Sequence, residues 1–167
     1  MTDHFARLGL PRRFAIDADE LERRYLAQSR AVHPDFHAGG PTADLAASTE
    51  LSAALNEAYT TLRDPFARAE YLLSLLGGPA ASDQKQMPAA FLMEMLEARE
   101  QVEEAAAGNN ACESRKAELL SGFRSRYDEL LAEVADRFAR PPADLPAIRE
   151  RLNAAKYVKG LIRDLNE

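Results

Sequence analysis

Residues 77 to 88, "GGPAASDQKQMP", limit what this chain can fold into more than any other stretch. Two glycines and two prolines among polar residues interrupt helical patterns on both sides, as a linker does. A chain of 167 residues can hold one ordinary domain or two small ones, and this break favours two. On both sides apolar residues recur at about 100° per residue. Ala, Leu, Glu and Arg dominate and β-branched residues are scarce, so both parts are expected to be helical. No internal repeat and no low-complexity tract is evident.

The N-terminal part opens with a short apolar piece, Phe5 and Leu8 to Leu10, closed by Pro11. Asp17 stands three residues before Glu20, which fits a helix cap. Leu21, Tyr25 and Val32 then fall on one side, Arg23 and Arg30 on the opposite side, and Arg24 on a flank. Pro34 forces this helix to stop before it. A third helix is expected from about 43 to 62, with Leu51, Leu55, Ala58 and Leu62 inward. Asp64-Pro65 restarts the chain as a cap and first helical residue. Phe66, Ala69, Leu73 and Leu76 line the fourth helix before Gly77 ends it.

Beyond Pro88 three longer helices are expected. The first runs to about Ala107, where "GNN" breaks it. The second covers about 113 to 138 with Leu120, Phe123, Tyr127, Leu130 and Val134 inward. After "ARPPADLP" the last helix turns Ile148, Leu152, Ala155 and Ile162 inward. Short connections between such helices imply an antiparallel three-helix bundle. The domain boundaries read as 1–76, a linker over 77–87, and 88–167.

A net charge of −6 argues against a general nucleic-acid binder. The one cysteine, Cys112, can form neither an internal disulfide nor a Cys-based zinc site, and it stands as incidental. No signal-peptide layout opens the sequence, and no stretch has the roughly 18 apolar residues of a membrane span. The expectation is a cytoplasmic protein without membrane contact or cofactor.

"RAVHPDFHAGG", residues 30 to 40, holds two of the three histidines, His33 and His37. His33, Asp35 and His37 alternate, and a strand would let them converge on a metal ion. Here they follow a helix in a loop, with no further His or Cys nearby, so no metal site is assigned. No nucleophile or glycine-rich phosphate loop accompanies them, so no catalytic residue is assigned either. A plain turn and a docking loop stay open. The tripeptide alone is weak evidence; its place between two antiparallel helices, after a helix with outward arginines, strengthens it.

"FLMEMLEAREQVEE" carries more apolar surface than one bundle helix needs. Phe91, Met95, Ala98 and Val102 cluster within about 60° and form a complete core stripe. Leu92, Met93 and Leu96 lie about 100° to 200° away, bordered by Glu97, Glu100, Glu103 and Glu104. Tyr157 lies about 180° from Ile148 on the last helix and can join this patch if the two helices pack side by side. Exposed apolar clusters rimmed by charge mark partner sites, and an acidic rim would select a basic partner. Coverage of the patch by the linker or the first domain is the alternative.

His33-Pro34-Asp35 and "NEAYTTLRDPFARAEYLL" resemble the J-domain family, co-chaperones of DnaK-type ATPases. "LRDPFARAEYLLSLLG", "FLMEMLEAREQVEE" and the terminal "KYVKGLIRDL" extend the resemblance to the HscB family, the J-proteins of iron–sulfur cluster assembly. The resemblance implies an all-α chain with an N-terminal J-domain, a helical hairpin plus short helices, before the three-helix bundle. It further implies that His33, Pro34, Asp35, Arg23, Arg24 and Arg30 touch an HscA-type chaperone and stimulate its ATPase. Leu92, Met93, Leu96, Glu97, Glu100, Glu104 and Tyr157 would bind the scaffold IscU. One departure stands out: the family commonly has a basic residue after the tripeptide, where this chain has Phe36 and then His37. Two other functions remain as alternatives: a J-protein for unfolded clients in general, and a metal-dependent enzyme centred on His33, Asp35 and His37.

Overall fold

A computed structural model describes residues 2–32, 42–107 and 112–166. Seven α-helices and no strand occur among them: α1 His4–Arg7, α2 Ala18–Val32, α3 Thr42–Arg63, α4 Pro65–Leu75, α5 Ala89–Ala107, α6 Cys112–Ala139 and α7 Leu145–Asn166. The chain divides into two compact units, Met1–Leu72 and Leu73–Glu167. The division falls inside α4, four residues before the end of the first domain read from the sequence.

Carboxylates set several of the helix starts. Asp17 Oδ1 accepts from the Glu20 N–H at 2.7 Å, Asp64 Oδ1 from Ala67 at 2.7 Å, and Asp144 Oδ1 from Ala147 at 3.0 Å. Each side chain satisfies a donor that the helix itself leaves unpaired, typically a contribution of about 1 kcal/mol. Gly77 stops α4 in the left-handed region, at φ 75°. The Gly77 N–H donates to Ser74 O at 3.0 Å and the Gly78 N–H to Leu73 O at 2.9 Å. That double closure needs a residue without a Cβ penalty at Gly77.

In the first unit α3 packs against α1 and α2. Phe5, Leu8, Leu21, Leu55, Ala58, Leu62 and Ala69 are buried there. Tyr25 stacks on Tyr59 with ring centroids 4.1 Å apart and donates to Asn56 Oδ1 at 2.8 Å, fixing the register of α2 on α3. Leu51, expected inward, is exposed. At that level of the pair Ser48 and Ser52 face α2 instead, their hydroxyls donating to Val32 O at 2.5 and 3.1 Å.

The second unit is a bundle in which α5, α6 and α7 each pack on the other two. Phe91, Met95, Ala98 and Val102 of α5, Leu130 and Val134 of α6, and Ile148, Leu152, Ala155 and Val158 of α7 are buried in this unit. Fully burying side chains of this size contributes roughly 1.5–3 kcal/mol each. Leu161 and Leu165 are buried while Ile162 is only half-buried. The inward face of α7 is wider than one stripe because two helices pack on it. Leu119 similarly takes the buried place expected of Leu120, and Leu76 is exposed beside the turn at Gly77.

The glycine- and proline-rich segment is tied to α7. Arg149 is buried and donates through Nε to Pro79 O at 2.9 Å. Asn153 Nδ2 donates to Gln84 O at 2.7 Å, and Gln84 Nε2 to Pro146 O at 3.0 Å. Residues 79 to 84 therefore run as a strap along α7.

Candidate functional site

Helix α5 has two apolar faces, and only one meets the core. Phe91, Met95, Ala98 and Val102 are buried, whereas Leu92, Met93 and Leu96 are 44%, 59% and 53% exposed. Tyr157 on α7 is 51% exposed and meets the edge of Phe91 at 5.9 Å between ring centroids, with an interplanar angle of 72°. This edge-to-face contact is a favoured aromatic geometry, and it leaves much of the tyrosine in water. Leu92, Leu96 and Tyr157 line one groove between α5 and α7, about 650 Å³ in volume. Clustered exposed apolar side chains of this kind are uncommon on a helix that already has a complete buried face, and they make this groove the candidate site.

The charges around this groove differ from the expected acidic rim. Lys85, Arg99, Lys156 and Arg163 line it, together with Asp164. Glu97, Glu100 and Glu104 are exposed on α5 but do not line the groove, nor does Met93. Helical geometry gives the reason. Arg99 projects about 20° from Leu92 on the side toward the core stripe, while Glu97, Glu100, Glu104 and Met93 lie about 80° to 140° away on the other side. Glu103, about 20° from Leu92 on that other side, does not line the groove and approaches Arg99. The patch thus has an acidic shoulder on α5 and a cationic wall toward α7. Arg99 is legible from its spacing to Leu92 and Leu96, and Lys156 from its place beside Tyr157. Lys85 is not, because only the strap brings it there.

Arg99 approaches Glu103 at 3.7 Å and Arg163 approaches Asp164 at 2.8 Å. Both are solvent-exposed pairs, worth about 1 kcal/mol or less, and are readily exchanged for a partner's charges.

The second candidate surface lies on α2. Arg23 and Arg30 are exposed. Arg24 is half-buried and engaged: it pairs with Glu20 at 2.7 Å and donates through Nη1 to Gly9 O at 2.7 Å. Gly9 has φ 67°, and a Cβ there would meet Arg24 Nη1 at 2.8 Å. Arg24 is thus a pin between α2 and the turn after α1. The two serine hydroxyls on Val32 O hold the last described residue of α2 against α3. His33, Pro34, Asp35, Phe36 and His37 lie outside the described residues, as does the side chain of Cys112.

Asp3 anchors the start of this unit. Its carboxylate accepts from the Ala6 N–H at 2.9 Å and from Arg12 Nε at 2.7 Å. Burial opposes its ionisation, but the Ala6 N–H and the Arg12 guanidinium together outweigh burial and hold its pKa below the usual carboxylate value. Among the described residues no group of three His, Cys, Asp or Glu side chains is placed to hold a metal, and no helix is long and apolar enough to cross a membrane.

Known proteins share this architecture. Residues 87–166 match the family described as the HSCB C-terminal oligomerisation domain. The co-chaperone protein HscB of Proteus mirabilis (strain HI4320) is 38% identical over 133 residues, 77% of this chain and 77% of that protein. A co-chaperone protein HscB homolog of Chromobacterium violaceum is 41% identical over 133 residues, 79% of this chain and 76% of that one. The chaperone HscB from Vibrio cholerae superposes with a TM-score of 0.85 at 28% identity, covering 98% of this chain and 95% of its own. Human co-chaperone protein HscB superposes with a TM-score of 0.86 at 29% identity, over 98% and 80% of the two chains.

Proposed function

Because this all-α chain belongs to the HscB family of co-chaperones, we propose that it carries an IscU-type iron–sulfur scaffold to an HscA-type chaperone and stimulates that chaperone's ATPase. Residues 1–76 act as the J-domain and 88–167 as the scaffold-binding bundle. The observation that carries this reading is the second apolar face of α5, left in water beside Tyr157.

On this reading Leu92, Met93, Leu96 and Tyr157 supply the apolar centre of scaffold binding, and Glu97, Glu100 and Glu104 flank it. Desolvating a few such side chains at the middle of an interface supplies most of its affinity. The cationic residues Arg23 and Arg30 steer α2 toward acidic surface on the chaperone, chiefly raising the encounter rate. Arg24 contributes charge from a fixed position. His33, Pro34 and Asp35 then make the contacts that favour the hydrolysis-competent state. The chain does no bond chemistry itself; it shifts its partner's conformational equilibrium. Carrying both surfaces on one chain raises the scaffold's effective concentration at the chaperone.

The test is ATP hydrolysis by the chaperone with and without the scaffold protein. Wild type is expected to stimulate, and more so with scaffold. His33→Gln should keep scaffold affinity and lose stimulation. Leu92→Ala with Leu96→Ala should keep the scaffold-independent stimulation, lose the scaffold-dependent increment, and bind scaffold at least several-fold more weakly. Persistent stimulation by folded His33→Gln sinks the chaperone-docking role. Equal capture of denatured peptides and folded scaffold would favour a general co-chaperone for unfolded clients.

A further inference from the structure

The groove between α5 and α7 points to a more specific partner chemistry than an apolar patch alone. Its floor and edge are apolar, formed by Leu92, Met95, Leu96, Leu161 and the Tyr157 ring. Its wall carries Lys85, Lys156 and Arg163 along α7 and the strap, with Arg99 a fourth cation from α5. Asp164 also lines it and pairs with Arg163, and Glu103 approaches Arg99, so Lys85 and Lys156 carry most of the unbalanced positive charge. A protein of net charge −6 has no general surplus of Lys and Arg, so this concentration is local.

The backbone that carries Lys85 is also held in place. Lys85 follows Gln84, whose carbonyl accepts from Asn153 Nδ2 at 2.7 Å and whose side chain reaches Pro146 O. Arg149, buried beneath the strap, secures Pro79 five residues earlier. The backbone under Lys85 is thereby fixed to the helix that carries Lys156 and Tyr157. Charges on fixed backbone beside an apolar floor recognise a counter-charge with less ordering cost than charges on a loose loop.

We propose that this groove seats an apolar edge of the scaffold flanked by Asp or Glu, so that scaffold carboxylates face Lys85 and Lys156. The proposal rests on the scaffold-binding reading and adds a polarity to it: the partner is acidic toward α7 and basic toward the α5 glutamates. Two rims of opposite sign admit one orientation of the partner and penalise its reverse. A uniformly basic partner, the one an acidic rim alone would select, fits one rim and is repelled by the other.

Scaffold affinity of the full chain, measured by titration calorimetry at about 50 mM and about 500 mM salt, tests this. Lys85→Glu with Lys156→Glu is expected to weaken binding about tenfold at the lower salt, with the gap narrowing to about threefold or less at the higher. Lys156→Gln removes one charge with little change of shape and should weaken binding about threefold, which guards against a folding defect in the reversed protein. Unchanged or tighter binding by both variants overturns the proposed polarity. If Leu92→Ala with Leu96→Ala still weakens binding in that case, the scaffold reading stands and only the polarity falls. If wild type itself does not bind the scaffold, both fall.

Discussion

Phe91 and Met95 on one face of α5 are chemically close to Leu92 and Leu96 on the other, yet the first pair is buried and the second pair lies in water. Helix α2 repeats the contrast with charge. Arg23 and Arg24 are neighbours in sequence, but Arg24 is spent on Glu20 and the Gly9 carbonyl while Arg23 is exposed. Residue type alone does not separate structural from interactive side chains in either helix. What separates them is which direction the neighbouring elements occupy. Side chains left outside by that geometry are the ones available to partners, and both sets belong to the surfaces proposed here.

Thermal and urea unfolding can break this contrast. The largest effect is expected from the inner faces: Phe91→Ala or Leu152→Ala should cost about 3 kcal/mol or more, through lost burial and an unfilled cavity. Leu92→Ala with Leu96→Ala should cost less than about 1 kcal/mol in total. Equal losses would show that the outer leucines are core.

On α2 the expected effects are smaller. Gly9→Ala places a Cβ in the left-handed region and against Arg24, which should cost about 1–2 kcal/mol. Arg23→Ala with Arg30→Ala should shift stability by no more than about 0.5 kcal/mol while slowing association with the chaperone. A substantial stability loss from the latter pair would make those arginines structural.

Asp3 sharpens the same comparison through pH. Its folded pKa lies below the unfolded value, so its ionised form stabilises the fold above the unfolded pKa of about 3.9, and that contribution is lost as pH falls through the lower folded value. Asp3→Asn, which keeps a capping oxygen, should therefore be less stable than wild type at pH 7 and approach it in acid below the folded pKa. A difference that stays constant down to that range would show that the charge is irrelevant.

Much of this was legible in the residues. Asp17, Asp64 and Gly77 mark helix ends by chemistry that acts within four residues, and the 100° spacing of Phe91, Met95, Ala98 and Val102 marks a buried face without reference to the rest of the chain. The surplus of Leu92, Met93 and Leu96 could be counted for the same reason. Leu51 and Ile162 read as inward because periodicity gives a helix one favoured direction; how far around it neighbours extend depends on their position. The engagement of Arg24 by Gly9, fifteen residues away, required the fold. So did the strap that Arg149 and Asn153 hold, which brings Lys85 to the groove across more than sixty residues. Helices, caps and the surplus of apolar surface follow from the residues alone, since these are set by nearest turns of one chain. Folding alone brought Lys85 to the groove that Lys156 and Tyr157 line, because such a meeting needs distant segments to have packed.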